Sequence, residues 1–389
     1  IGSGPCGLTA AKDLVLAGYG VTIFESLPVA GGMLRVGVPE YRLPTWIINR
    51  EVQEILDLGV ELRLSTPVEN LDDVFAQGFR AVLIAVGAHE GRRLPIPGAD
   101  HPDVLINTRF LRDVRLGNSP DLEGRRVLVL GGGNVAMDCA RTALRLGASQ
   151  VNMAFLESRE NMPAHAEEIQ EAEDEGIRLF PARSFTRVLT NDGLVSGVEA
   201  VHVRFMKFEQ DGSLTIETIP GSEHTLECDT VIFAIGQRAG LAFIPEDAGV
   251  GVTRQRTIAV NPNTFATSHP GVFAAGDATS GTSFVIEAVS SGHKASTAIQ
   301  KYLRGELLET RRHIELPVVR LTPTEVAARI RQGKIQIGPR VKMATLNAQT
   351  RLRSFEEVSQ GYTEEEAHSE AARCLQCGIC SECLSCYYK

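Results

Sequence analysis

Two glycine loops, each opening a helix and each answered by an acid at the end of the following strand, constrain this chain more than anything else in it. In the first, Gly2-Ser3-Gly4-Pro5-Cys6-Gly7 leads into an apolar helical stretch over 8–16, and a strand over 21–24 ends in Glu25. In the second, Gly131-Gly132-Gly133-Asn134-Val135-Ala136 follows an apolar strand over 126–130 and opens a helix to 146. The next strand, 151–155, ends at Leu156 and Glu157. This is the dinucleotide fingerprint with its parts in order. The first glycine makes a tight turn, the second lets backbone approach a pyrophosphate, and the third small residue lets helix pack on strand. Glu25 stands 18 residues past Gly7 and Glu157 stands 21 past Ala136, where a carboxylate accepts hydrogen bonds from a ribose diol. An acid at Glu157 favours NAD, because it bonds the 2′-hydroxyl and repels a 2′-phosphate; Arg159 nearby could reach such a phosphate. The strand that delivers the first loop is expected ahead of Ile1, so both chain ends read as cut.

Each fingerprint has a returning strand. Residues 81–86 form a short apolar run ending at Gly87, and residues 230–235 repeat it and end at Gly236. Two loops and two returns predict an α/β architecture: two Rossmann-like nucleotide-binding domains, the second inserted in the first, plus a C-terminal extension. The expected division is 1–105 and 241–308 for the first domain and 106–240 for the second. A linker and helical extension follow over 309–372, and a cysteine segment over 373–389. Residues 30–44, dense in glycine and proline, predict an irregular loop over a ligand. Gly276-Asp277, at the end of a strand and ahead of a helix over 283–302, suits a flavin: backbone N–H groups face phosphate and the aspartate bonds ribityl hydroxyls. A turn with an Asx cap is the plainer alternative. His165 is expected on the surface.

The chain closes on Cys374, Cys377, Cys380, Cys383 and Cys386, five of its eight cysteines at every third position. The first three fit the C-x2-C-x2-C half of an iron–sulfur ligand run, and the fourth ligand is open. Zinc prefers paired C-x2-C knuckles with a spacer, and disulfide frameworks suit small secreted domains. A 4Fe–4S cluster is therefore the expectation. Thr363 with Glu366 forms a capping box for a helix that runs straight into Cys374.

A net charge of −9 argues against nucleic acid as a partner, since phosphate contact needs a basic surface. No apolar run reaches the length of a bilayer span. Sparse cysteine outside the tail points to a reducing, cytoplasmic setting.

Taken together, Gly2 to Gly7, the Gly31-Gly32 loop with residues 37–44, Gly131 to Asp138, Gly276-Asp277 and the Arg373-Cys374 to Cys377 tail resemble the glutamate synthase small-subunit family of flavoprotein reductases. Relatives include the ferredoxin:NADP oxidoreductase large subunit and the dihydropyrimidine dehydrogenase flavin domain. The resemblance implies FAD across Gly2, Gly4, Gly7, Glu25, Gly32, Arg42, Gly87 and Gly276-Asp277. It implies a nicotinamide nucleotide at Gly131, Gly133, Asn134 and Ala136, beside Glu157, Arg159 and Gly236. Arg42 is expected either to stabilise the reduced flavin ring or to form an ion pair.

Two departures refine this. Many relatives carry two arginines where Leu156-Glu157 stand, and those suit NADP, so NADH is expected here. The C-terminal cysteines resemble flavoprotein modules of larger electron-transfer complexes more than the glutamate synthase subunit itself. The expected activity is electron transfer from NADH through FAD and iron–sulfur clusters to an iron–sulfur or ferredoxin-type partner, within a hetero-oligomeric complex. The alternatives are a glutamate synthase small subunit and a non-catalytic flavin-bearing subunit with a zinc tail. A thioredoxin-reductase-like enzyme would need a C-x2-C where Cys139 stands alone.

Overall fold

A computed structural model describes residues 1–208, 214–245, 248–308, 322–334 and 338–372. The five C-terminal cysteines lie outside the described residues.

The second fingerprint sits in a five-stranded, all-parallel sheet. Its strand order is Val104–Ile106, Thr230–Phe233, Arg126–Leu130, Gln150–Ala154, Arg178–Phe180. Both faces of this sheet are covered, which is why its central strands read as unbroken apolar runs. On one face the helix Asn134–Arg145 packs with Met137, Ala140 and Ala143 wholly buried. On the other, Leu128, Leu130 and Phe233 meet a four-stranded antiparallel sheet built around the long strand Leu194–Phe208. The strands Arg183–Asn191, Leu214–Thr218 and His224–Glu227 complete that second layer.

The first fingerprint lies in a half assembled from the two ends of the chain. The strand Thr22–Phe24 pairs in parallel with Glu61–Arg63, and Val272–Ala274 pairs in parallel with Val82–Ile84. The helix Pro5–Leu16 packs against the long helix Val285–Leu303. Between the two strand pairs runs a cavity of about 300 Å³, with Thr22, Ile23 and Phe24 on one wall and Ala81, Val82 and Leu83 on the other. Ile1 and Gly2 close its end as a single rung. The Ile1 amine donates to Leu83 O (2.7 Å), Ala85 N donates to Ile1 O (2.8 Å), and Gly2 N donates to Phe24 O (2.8 Å).

Two Rossmann-like folds, the second inserted in the first, are therefore present. The chain passes between them at one antiparallel pair, Glu90–Gly91 with Gln237–Arg238. The strand Val104–Ile106, which pairs with Val231, Ile232 and Phe233, lies across the boundary expected at 105. The loop over 30–44 is also more regular than expected: Met33–Val36 forms a helical turn, with Val36 buried. Glycine at 31 and 32 supplies the entry to that turn, and apolar Val36 anchors it.

Residues 338–372 cross back over both halves. Thr345 and Ser359 form an antiparallel bridge, with a helical turn Ala348–Arg351 between them. The helix Glu364–Ala372 then leads toward Cys374. Its capping box is present: Thr363 N donates to Glu366 Oε2 (2.9 Å) and Glu366 N donates to Thr363 Oγ1 (3.3 Å).

Candidate functional site: two helix N-termini and an ionic seam

Helices Pro5–Leu16 and Asn134–Arg145 begin alike. Gly4 and Gly133 are their N-caps; neither helix has a side-chain cap, and neither carries an acid in its first turn. Their leading N–H groups are thus left for an anion, which the helix dipole also favours. Space agrees with charge. A side chain on Gly133 would meet nothing within 4 Å, and one on Gly4 only the Gly32 Cα at 4.0 Å. The flanking small residues are shut in instead. A Cβ on Gly7 would strike the Gly2 carbonyl oxygen, one on Gly131 the Ala234 carbonyl oxygen, and Ala136 is fully buried. Open middle position and closed flanks are what a dinucleotide pyrophosphate requires, so the residues present fit both FAD and a nicotinamide nucleotide.

Glu25 is not a solvated strand end. It is buried, and its carboxylate accepts from Ser3 N (3.0 Å), Ser3 Oγ (2.6 Å) and Leu27 N (2.9 Å). It braces the first glycine loop from beneath. Asn134 does similar work in the second, where its Oδ1 accepts from His165 N (2.9 Å). His165 itself caps the helix Ala166–Asp174 and stacks on Phe284 of the other half, with ring centroids 6.5 Å apart. Gly276 packs against Cys6, and burial pushes the half-buried Asp277 carboxyl up to about 6, next to the backbone of Ser283. Gly87 and Gly236 both follow the ends of their returning strands; Gly236 O accepts from Arg92 N (3.0 Å) at the crossing. Glu157 is half-buried just past Gln150–Ala154, while Arg159 pairs with Glu173 (2.7 Å) at the surface.

Arg42 is engaged in ion pairs. Its guanidinium reaches across the seam to Asp138 (2.7 Å) and Glu168 (2.8 Å), so both of its terminal nitrogens are committed to carboxylates. Beside it, Tyr41 is fully buried, with the guanidinium groups of Arg145 and Arg141 over its ring at 4.0 and 5.1 Å. Both arginines converge on Glu175, whose side chain has no exposure: Arg141 at 2.8 Å and Arg145 at 2.7 Å. Burial works to raise the Glu175 carboxyl, yet the bonds from Arg145 and Arg141 outweigh it and hold it below the usual range. A second bridge joins Arg115 to Glu40 and to the Leu43 carbonyl (3.3 Å).

This seam escaped the sequence reading, although a signal existed. Arg141 and Arg145 stand four apart on a helix whose remaining inward face is apolar. Glu168, Glu171 and Glu175 share one face of the next helical stretch.

Asp138 gives the seam a pH dependence. Burial pushes its carboxyl up to about 6, more than Arg42 pulls it down. Between the ordinary 3.8 and about 6 the folded protein therefore binds a proton that the unfolded chain has released, so this contribution to stability falls as pH rises through that window. The urea midpoint of the wild type relative to Asp138→Asn is expected to fall from pH 4 to about 6 and then level off. A difference that does not change with pH would show Arg42 keeping Asp138 ionised throughout.

A model of the pyridine nucleotide-disulphide oxidoreductases matches residues 1–292. The chain belongs to that family. It is 40% identical, over 97% of its length, to the "NADP(+)-dependent formate dehydrogenase subunit beta" of Moorella thermoacetica, and spans 54% of that protein. It is 34% identical, again over 97%, to the "NADPH-Fe(3+) oxidoreductase subunit beta" of Geobacter sulfurreducens, spanning 60% of it. With the "Glutamate synthase [NADPH] small chain" of Escherichia coli it shares 33% identity over 78% of its length and 68% of that chain. The chain thus spans little more than half of the first two relatives. Among solved structures, FprA from Mycobacterium tuberculosis has the same two-domain fold, with a TM-score of 0.67 at 19% identity over 78% of this chain and 84% of that one.

The family is one of oxidoreductases that bind FAD and NAD(P)H, and this chain is an enzyme of that kind. The described cysteines, Cys6, Cys139 and Cys228, are each buried and unpaired. No helix among the described residues is long and apolar enough to cross a membrane.

Proposed function

We propose that this chain is the flavoprotein module of an electron-transfer complex, passing electrons between a nicotinamide nucleotide, FAD and iron–sulfur clusters toward an iron–sulfur or ferredoxin-type partner subunit. The observation that carries the reading is the pair of uncapped, acid-free helix N-termini set in two joined Rossmann folds. FAD held at the first loop would supply the chemistry that takes up two electrons as hydride from a nicotinamide nucleotide and gives them out one at a time. The chain's own residues bind and orient. The first loop, braced by Glu25, and Gly276-Asp277 hold the flavin nucleotide; the second, braced by Asn134, holds the other. No side chain is required to move a proton for hydride transfer.

The Moorella and Geobacter relatives match through 97% of this chain, whereas the E. coli glutamate synthase small chain matches 78%. That favours an electron-transfer subunit over a glutamate synthase subunit, because the longer matches take in the C-terminal extension. Cys374, Cys377 and Cys380, completed by Cys383 or Cys386, are the proposed 4Fe–4S ligands.

The finer proposal is that NADH is the preferred coenzyme, although these relatives are named for NADP(H). Its support is Glu157, half-buried at the strand end with Leu156 in place of a second cation. Flavin reduction in stopped flow should be faster with NADH than with NADPH. Glu157→Arg should move the ratio toward NADPH by about tenfold, the yield of about 1.4 kcal/mol of charge complementarity. Equal rates with both coenzymes, or an unmoved ratio in the variant, would remove Glu157 from the selectivity determinant.

A further inference from the structure

We propose that residues 338–372 form a brace across the two nucleotide folds, and that Arg351 is a positioning residue which holds them at the angle hydride transfer needs. The inference rests on the reading of the chain as a nicotinamide-nucleotide-to-flavin reductase.

The two halves are joined covalently only through the thin crossing at Glu90–Gly91 and Gln237–Arg238. A two-stranded crossing resists rotation poorly, so the angle between the halves is set by what spans the seam. Arg42 spans it to Asp138 and Glu168, and Arg115 spans it to Glu40. The C-terminal segment is attached to both halves, at the surface through Arg340 and Glu167 (3.6 Å) and more deeply at two places. On the first, Val358 N donates to Tyr41 O (2.9 Å), and Phe355 lies against the Tyr41 ring with centroids 6.4 Å apart. On the second, Arg351 brings its guanidinium to 3.9 Å from Glu175 Oε1.

Arg351 is built into place. It is 7% exposed; its Nε donates to Leu346 O (2.5 Å) and its Nη2 to Thr345 Oγ1 (2.7 Å), so the segment itself turns the remaining nitrogen toward Glu175, as a charge contact rather than a hydrogen bond. Around Glu175 and Tyr41 the four guanidinium groups of Arg42, Arg141, Arg145 and Arg351 meet the four carboxylates of Asp138, Glu168, Glu171 and Glu175. At the centre of this set Arg141, Arg145 and Glu175 are wholly buried and Arg351 nearly so, and slippage there takes a desolvated ion away from its counter-charge. The brace therefore fixes an angle rather than merely adding contact. The same segment carries the chain toward Cys374: Val341 N donates to Glu370 (2.5 Å) and Tyr362 Oη to Val341 O (3.3 Å), which ties the last described helix to it.

The test uses the full-length, FAD-loaded protein. Arg351→Met should leave the dissociation constant for the nicotinamide nucleotide within about twofold. It should slow flavin reduction at saturating nucleotide by roughly 10- to 100-fold, the effect of misplacing reacting atoms by about 1 Å. The long-wavelength charge-transfer absorbance of stacked nicotinamide and flavin should weaken in parallel, and Arg351→Lys should restore part of both. If Arg351→Met does not fold, Phe355→Ala loosens the brace at Tyr41 without removing a buried charge and carries the same expectation. Unchanged rate and absorbance in a variant that retains FAD overturn the proposal. So does a rate lost only in proportion to nucleotide affinity. A wild type whose flavin neither NADH nor NADPH reduces would sink the functional reading itself; a reducible wild type with unaffected variants sinks the brace alone.

Discussion

Gly131→Ala is expected to slow reduction of the flavin by the nicotinamide nucleotide on the order of 100-fold while leaving FAD bound. Gly131 has φ +139°, a conformation that side-chain-bearing residues rarely adopt, and a Cβ there would run into the Ala234 carbonyl oxygen. The obstacle is backbone, and it belongs to the residue just past Thr230–Phe233, a strand buried throughout and hydrogen-bonded on both sides. It cannot move aside without breaking the sheet. The glycine loop must move instead, carrying Gly133 and the first turn of Asn134–Arg145 away from the position where their N–H groups meet a pyrophosphate. A displacement near 1 Å costs on the order of 100-fold, and the strained backbone adds about 1–3 kcal/mol of destabilisation. The first loop shares none of these contacts, so the flavin content of the purified variant should match wild type. Titration with nicotinamide nucleotide and stopped-flow reduction decide the matter. Wild-type affinity in the variant would mean that the second loop does not bind this ligand.

Cys377→Ser is expected to remove the iron and acid-labile sulfide of the C-terminal run and to leave flavin reduction by the nicotinamide nucleotide intact. Cys377 is a member of the C-x2-C-x2-C half on any choice of fourth ligand, and a serine hydroxyl is a poor substitute for thiolate on iron. The flavin and nucleotide loops are built from residues before 309 and need nothing from the tail for their own geometry. Electron delivery to an external one-electron acceptor should then fall sharply while flavin bleaching persists. Zinc in the wild-type protein, in place of iron and sulfide, would overturn the cluster. Loss of flavin reduction in a folded Cys377→Ser variant would show that the two stations are not separable.

The parts of this molecule that were legible in its sequence are those whose cause is local. The strand Arg126–Leu130 falls where its apolar run predicts, because a parallel strand covered on both faces leaves no room for a polar residue. Both glycine loops are where spacing puts them; Gly7 answers the Gly2 carbonyl five residues back, while Gly131 answers Ala234 at the end of the returning strand. Glu25 stands at the strand end, and its bonds to the glycine loop are a contact that spacing does not show. Nothing in the order of residues shows that Ser3, from the loop itself, would turn back to fill its oxygens.

The seam was invisible for a different reason. Arg42 is ambiguous alone; its commitment to Asp138 and Glu168 depends on residues 96 and 126 positions away. The same holds for Arg351, a basic residue in a proline-punctuated stretch that reads as linker. It becomes structural only when Glu175 arrives from another fold. The helical turn Met33–Val36 also needed tertiary help, since four residues between glycines do not hold a helix by propensity.

The inserted arrangement sets an order for making the molecule. Val82–Ile84 is synthesised before the nucleotide fold and its partner Val272–Ala274 after it. The strands of the inserted sheet, from Val104–Ile106 to Thr230–Phe233, are complete before that partner exists. The inserted fold therefore closes first on the growing chain and the flavin half closes around it, since domains generally fold as units during synthesis.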